Sequence, residues 1–557
     1  MKAPNIHRFL AFAALFSAQA TYVNAASDSW NVNAAGNWVD SGNWLGGNVP
    51  GAGDTATFGN VVLTANRTVT VDSNRAISGI VFNNTNTGAF GYTLNGGNFL
   101  LGNAGTISVE GVTTGNKTEN VNSAIQFQGA TALFSNTSSG ATHTLNIAGN
   151  LTTAATATTL TLHATNSSTN LLQGTISGNI GVVKTGAGTW SIRFGNNNFN
   201  GGLEVQAGTI DLYNSITAGG SGTITLNGGN LSFTKNINNN STFETNSYAN
   251  AVSVLQNARI DTFRQNSGGG SGKNQSVSSL SVASGVTLTR RGWDGYGLAV
   301  ANATTIGGNV SFVNNAYGAT TAGQRPTASN STTSQVASGA TLLLNTLTVA
   351  DSAATSSVSV ATFDGSQSLD NSYISGAITD NANDATKRLG ITKSGTNVLT
   401  LAGTNTYTGA TTVSAGTLLL SGQLGNTNTT IASGATFNMG IGSTYNIVIG
   451  ANGVNTMIDG LGTANFEGGF TFDLTGASIA NNNAWQIVDV GNLTENFTSN
   501  FGVSGFTESS NVWTKVEGNN TWSFDESTGQ LALAVIPEPR AALLGGLGLL
   551  ALIRRKR

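Results

Sequence analysis

The chain of 557 residues carries 9% charged side chains, no cysteine and a net charge of -3, with 73 glycines against 5 prolines. Ordinary soluble domains carry about 25% charged residues, and a disordered chain has more charge and fewer apolar residues than the 39% found here, so a buried core is feasible. The lack of cysteine removes disulfides, thiolate nucleophiles and thiolate metal ligands, and the scattered lysines offer no basic face to a phosphate backbone, which excludes nucleic acid as a partner.

At the N-terminus Lys2, His7 and Arg8 precede the apolar stretch Phe9 to Ala18, and small residues follow. This is the layout of a secretory signal peptide over residues 1–25, with cleavage after Ala25 and Ala20 as the other small-residue site. Residues 26–60 then hold "SWNVNAAGNWVDSGNWLGG", which sets Trp30, Trp38 and Trp44 among Asn and Gly. The segment reads as an aromatic-packed cap. From 61 to 440, segments such as "THTLNIAG", "TITLNGGNLSF" and "TLLLNTLTVA" alternate apolar residues with Thr, Ser or Asn at period two, bounded by Gly and Asn. That pattern predicts short strands and an all-β fold.

An internal repeat specifies the architecture further. Lys184 to Leu212 reads "KTGAGTWSIRFGNNNFNGGLEVQAGTIDL" and Lys393 to Leu420 reads "KSGTNVLTLAGTNTYTGATTVSAGTLLL". Lys184 answers Lys393, Trp190 answers Leu399, Phe199 answers Tyr407, Val205 answers Val413 and Gly208 answers Gly416. The two copies (184–212 and 393–420) resemble the autotransporter-associated beta strand repeat, with Lys-x-Gly, a Leu-Thr-Leu strand, an "NTYTG" turn and a closing "V-x-x-GTL". The resemblance implies a right-handed parallel β-helix, a β-solenoid. The physics agrees, because coils of short strands bury their inward residues only against the coils above and below, and sparse charge avoids stacking like charges at about 4.8 Å. Coils on the order of 20 to 25 residues predict roughly 20 of them and a rod of about 100 Å. The rival architecture is a string of β-sandwiches. Residues 441–535, with Trp485, Trp513 and Trp522, lose the repeat and read as a terminal β unit.

Candidates for chemistry are few. His143 and His163 lie in strand patterns on opposite parities, which points to structural roles. Asp364, Asp370, Asp380 and Asp384, with Lys387 and Arg388 nearby, are the carboxylates a polysaccharide lyase or glycosidase on a β-helix would have to gather into one groove; in turns such residues are ordinarily solvated. The stretch "SGGGSGKN" from Ser267 lacks the leading glycine, the final Ser or Thr and the strand-to-helix setting of a phosphate loop. The "RRGWDGYG" segment offers Trp293 and Tyr296 as candidates for contact with a glycan. No cofactor or metal signature is present, and the expectation is a protein without enzymatic activity.

Residues 536–557 form a distinct tail. Pro537, Glu538 and Pro539 make an extended tripeptide; the thirteen apolar residues 541–553 would span roughly 20 Å as a helix, short of a bilayer core of about 30 Å; and Arg554, Arg555, Lys556 and Arg557 close the chain. These parts resemble the PEP-CTERM sorting signal of Gram-negative bacteria. That resemblance implies an exosortase-like processing enzyme as partner, a transient inner-membrane contact through 541–553, and delivery to the cell surface or extracellular matrix. No terminal membrane barrel follows the repeats, as one would in an autotransporter. The sequence thus reads as a secreted, surface-sorted structural or adhesive solenoid of the envelope or exopolysaccharide, with exopolysaccharide itself a possible partner; the competing class is a carbohydrate-active enzyme on the same scaffold.

Overall fold

The computed structural model describes residues 26–536 except 60, 85–87, 112–115, 140–142, 194, 236–244, 264–273, 293–295, 317–339, 366–370, 426, 492 and 494–495. Ala25, Trp293, Asp370, Ser267 to Lys273 and the tail from Pro537 to Arg557 lie outside the described residues.

Period-two alternation makes strands, and Gly or Asn at their ends makes corners. Each coil is a triangle. Tyr92–Gly96 lies on one face; the chain then turns into Asn98–Val109, whose first part pairs with Ala124–Phe127 and whose second part pairs with Thr131–Asn136. A register shift between Ile77 and Gly79 in the coil below marks the bend between these two faces. Lys117–Val121 returns to the first face, between Tyr92–Gly96 and His143–Ile147. One long sheet therefore covers two sides of the triangle and a second sheet covers the third. From Thr404–Asn405 onward a five-stranded sheet takes over one side. Pairing between coils is parallel throughout, in the right-handed sense that parallel crossovers take.

The second sheet stacks eighteen strands among the described residues, about 80 Å at the usual strand spacing. The rod is shorter than the sequence suggested because the coils vary in length. Register partners Trp190 and Ile210 are 20 positions apart, Val69 and Leu94 are 25 apart, and Phe312 and Phe363 are 51 apart. Loops inserted at corners absorb chain without adding coils.

Inward residues stack in columns. Val69, Leu94, Val121, Ile147, Leu172, Ile192 and Leu212 are successive register partners and all are buried. One apolar cluster runs from Trp30 to Leu533, which is a stacked interior and not a row of separate sandwiches. At the N-terminal end Trp30, Trp38 and Trp44 are buried, with ring centroids 5.3 Å (Trp30 to Trp44) and 5.0 Å (Trp38 to Trp44) apart. Their indole N–H groups donate to the carbonyls of Val32, Pro50 and Trp38.

Parallel stacking continues past residue 440. Thr444–Val448, Ile458–Gly460, Thr463–Phe466, Gly469–Asp473, Val488–Val490 and Gly502–Val503 all add to the solenoid. Losing the sequence repeat does not end the coil, since inward alternation is enough to keep it. The terminal unit is an antiparallel sheet ordered Asn483–Gln486, Gln530–Val535, Asn520–Asp525, Val512–Glu517 and Thr507–Ser509. It lies against the last coils through Trp485, whose indole N–H donates to the carbonyl of Ala451 (2.7 Å), and through Phe524, 5.7 Å from Phe470.

The repeat has a direct structural meaning: its second half stacks on its first. Lys184 is the register partner of Val205 and Trp190 of Ile210, just as Lys393 pairs with Val413 and Leu399 with Leu418. The two copies sit one face apart around the triangle, because Lys184 belongs to the long sheet and Lys393 to the second sheet. The motif therefore encodes a corner between two strands wherever around the rod it falls. At each corner the lysine is fully buried. Lys184 Nζ donates to the carbonyls of Thr185 (2.7 Å), Gly186 (2.6 Å) and Ala207 (3.1 Å). Lys393 Nζ donates to those of Ser394, Gly395 (3.0 Å) and Ala415 (3.3 Å). Burial pulls both ammonium groups down to about 8. Gly208 and Gly416 close this cage at φ +67° and +66°, where a Cβ would lie 2.4 Å and 2.5 Å from the carbonyl oxygens of Gly186 and Gly395. Their backbone conformation and the crowding both demand glycine.

Candidate functional site

Among the described residues, the acidic residues singled out in the sequence do not gather into one site. Asp380 accepts hydrogen bonds from Leu389 N (2.7 Å), Thr408 N (3.1 Å) and Thr408 Oγ1 (2.7 Å), so it clips two coils together. Asp384 accepts from the hydroxyl and amide of Thr386 at 2.6 and 3.0 Å, which hold its carboxyl below its ordinary range, and it lies 3.7 Å from Lys387. Lys387 turns its ammonium to the carbonyl of Asp351, and Arg388 is exposed on a strand of the second sheet. These are turn staples, and among the described residues no three His, Asp or Glu gather as a metal site.

Tyr296 is corrected as a glycan contact: its side chain is wholly buried, and its carbonyl accepts from the Arg290 guanidinium and from Thr262 Oγ1 (2.8 Å). Parity splits the arginines of the same segment: Arg290 and Arg291 belong to the strand Thr287–Gly292, so Arg290 points into the rod and Arg291 outward. The two histidines are likewise split. His143 is buried with Nε2 3.1 Å from Glu119 Oε1, while His163 lies on another sheet and meets Thr185 Oγ1 at 2.9 Å.

The charged residues that do assemble lie on the outer face of the second sheet. Register makes Ser191, Asp211, Ser232, Asp261 and Arg291 a single column across five successive strands. Four strand spacings give it a length of about 19 Å. Arg193 and Tyr213, in the neighbouring column, pair across strands with the guanidinium carbon 4.3 Å from the ring centroid. Arg193 Nε donates to Ser191 Oγ (3.0 Å), and Ser191 Oγ donates to Asp211 Oδ2 (2.9 Å). Desolvation raises the Asp211 carboxyl above its ordinary value, against the lowering effect of the hydroxyls of Thr234, Ser191 and Ser232.

Two coils further on, Asp261 is held by two arginines. Arg259 Nε reaches Oδ1 and Oδ2 at 2.8 and 3.0 Å, and Arg291 grips the same carboxylate through Nε (2.9 Å) and Nη2 (2.7 Å). Arg291 also stands 5.8 Å from the centroid of Phe263. A carboxylate so clamped has no lone pair positioned to take a proton from water, so the arrangement suits recognition better than acid–base chemistry. The sequence held a signal for this stripe: Ser191 and Arg193, Asp211 and Tyr213, and Arg259, Asp261 and Phe263 each repeat at spacing two, hence on one face. What aligned them across coils was the length of each coil, which spacing two does not reveal.

The family model of the passenger-associated-transport-repeat matches residues 182–212 and 391–420, the stretches that contain both lysine cages. Among solved structures, the Hap adhesin of Haemophilus influenzae aligns with 87% of this chain and 64% of its own, at 10% identity and a TM-score of 0.29. No curated protein matches. The chain is thus an all-β parallel solenoid that carries passenger-associated transport repeats.

Proposed function

We propose that this chain is exported and displayed as an adhesive or structural rod in the cell envelope or exopolysaccharide, without enzymatic activity. The observation that carries the reading is the passenger-associated repeat, matched twice and built into stacked coils whose outward rows are mainly Thr, Ser and Asn. The signal-peptide layout of residues 1–25 and the tail from Pro537 to Arg557 support the same route: secretion, transient membrane contact through 541–553, and processing at Pro537-Glu538-Pro539 by an exosortase-like enzyme. Mass spectrometry of protein released from the cell surface tests it. The expected product begins after Ala25 and has lost the basic end; a surface product intact through Arg557 would contradict the sorting step, and an intact chain retained in the cytoplasm would contradict display altogether.

A further inference from the structure

We propose that the outer stripe of the second sheet binds a linear acidic polysaccharide, whose carboxylates pair with Arg193 and Arg259 and whose sugar faces lie against Tyr213 and Phe263. The inference rests on the reading that the rod is displayed in an exopolysaccharide.

Four features of the stripe point to such a ligand. First, the guanidiniums have capacity left. Arg193 bonds protein only through Nε to Ser191, and Arg259 only through Nε to Asp261, so among the described residues the terminal nitrogens of both make no hydrogen bond. Those nitrogens form the planar fork that recognises a carboxylate through two parallel bonds.

Second, the charge balance is positive. Three guanidiniums face two carboxylates, and Asp261 is held between two of them. The stripe is a cationic strip on a chain of net charge -3. Third, each end pairs an arginine with an aromatic ring, Arg193 with Tyr213 and Arg291 with Phe263, which gives an apolar plate beside a charged donor. A uronic acid presents the matching combination of a C–H face and an equatorial-plane carboxylate.

Fourth, the stripe is extended. Register fixes Arg193 and Arg259 on strands three spacings apart, about 14 Å along the rod, and on opposite sides of the central column, Arg193 two residues beyond it and Arg259 two residues before it, so an oligomer that meets both crosses the stripe obliquely and a single sugar cannot span them. The floor of Ser191, Ser232 and Asp261 is buried, while Arg259 and Arg291 keep side-chain exposures of 32% and 27%. Contact is therefore made by the flanking side chains.

The test is fluorescence anisotropy with labelled oligogalacturonate and the purified full-length protein. Binding is expected, weakened at high salt as screening requires, with a neutral glucan of equal length not bound. Arg193→Gln is expected to lower affinity by about tenfold, the loss of one charge-assisted pair, with circular dichroism unchanged; Arg259→Gln serves as the second variant and is expected to do the same. Binding that survives both substitutions, equal binding of the neutral glucan, or equal binding of polyphosphate or single-stranded DNA overturns the proposal. Because the measurement uses purified protein, a negative result leaves surface display standing, and a failure of display leaves the binding result unaffected.

Discussion

At the scale of single residues, the two buried lysines tie stability to pH. Lys184 and Lys393 titrate at about 8 in the folded chain, against an ordinary value of 10.5, because burial penalises the ammonium form. Between these values the unfolded chain binds the proton and the folded chain does not, so stability rises with pH across that window. The gain is on the order of 3 kcal/mol per lysine. Four tyrosines act oppositely: Tyr92, Tyr248, Tyr407 and Tyr445 are pushed up, chiefly by desolvation. Above pH 10 the unfolded chain ionises its phenols first and stability falls. Denaturant midpoints measured from pH 7 to 11 are expected to peak near pH 10. The double variant Lys184→Met, Lys393→Met is expected to lose the rise and keep the fall; an unchanged rise would place its origin elsewhere. The sequence displayed these lysines as part of a motif, but not that three carbonyls enclose each one. That follows from a corner closing on itself, with Gly208 or Gly416 of the next coil as the lid.

At the scale of the element, each coil depends on its two neighbours. Leu418 is fully buried between its register partners Leu399 and Phe437. Leu418→Ala is expected to cost about 2–5 kcal/mol through lost transfer energy and a residual cavity. In a stacked array the damage stays local. Hydrogen exchange should therefore quicken in the coils around 399, 418 and 437 while the coils around Val121 and Ile147 keep their protection. Uniform loss across the rod would argue that the coils unfold as one unit. The strands themselves were legible in the sequence because alternation alone defines them, as in "TLLL" at Thr417–Leu420. Their lateral neighbours were not, because the repeat shows which residues recur between its copies and not that Lys184 stacks on Val205. The insertion between Phe312 and Phe363 carries no such signal.

At the scale of the molecule, the ends decide whether the rod stays single. Parallel coils leave unpaired strand edges at each end, which recruit further chains unless covered. Tryptophans 30, 38 and 44 pack at one end, and the antiparallel sheet stands at the other with Phe524 against Phe470 and Trp513 against Phe501. Deleting residues 504–536 uncovers Trp485, Phe470 and Phe501 together with the last strand edges. The truncated protein is expected to self-associate, seen as a concentration-dependent rise in mass by light scattering, whereas the intact chain stays at a constant mass. A truncated chain that remains monomeric would show that the sheet does not guard the edge.

By itself the sequence determined that this chain builds strands, that their inward faces need stacking to be buried, and that sparse charge and absent cysteine leave hydrophobic columns as the main source of cohesion. Period-two alternation and the Lys-x-Gly repeat are local patterns, and local patterns survive in one dimension. Only the tertiary structure decided that coils continue to Val503, that Arg290 and Tyr296 turn inward while Arg291 turns outward, and that Ser191, Asp211, Ser232, Asp261 and Arg291 form one column. Those outcomes depend on how many residues each corner absorbs, a quantity set by loops and visible only once neighbouring coils are in register.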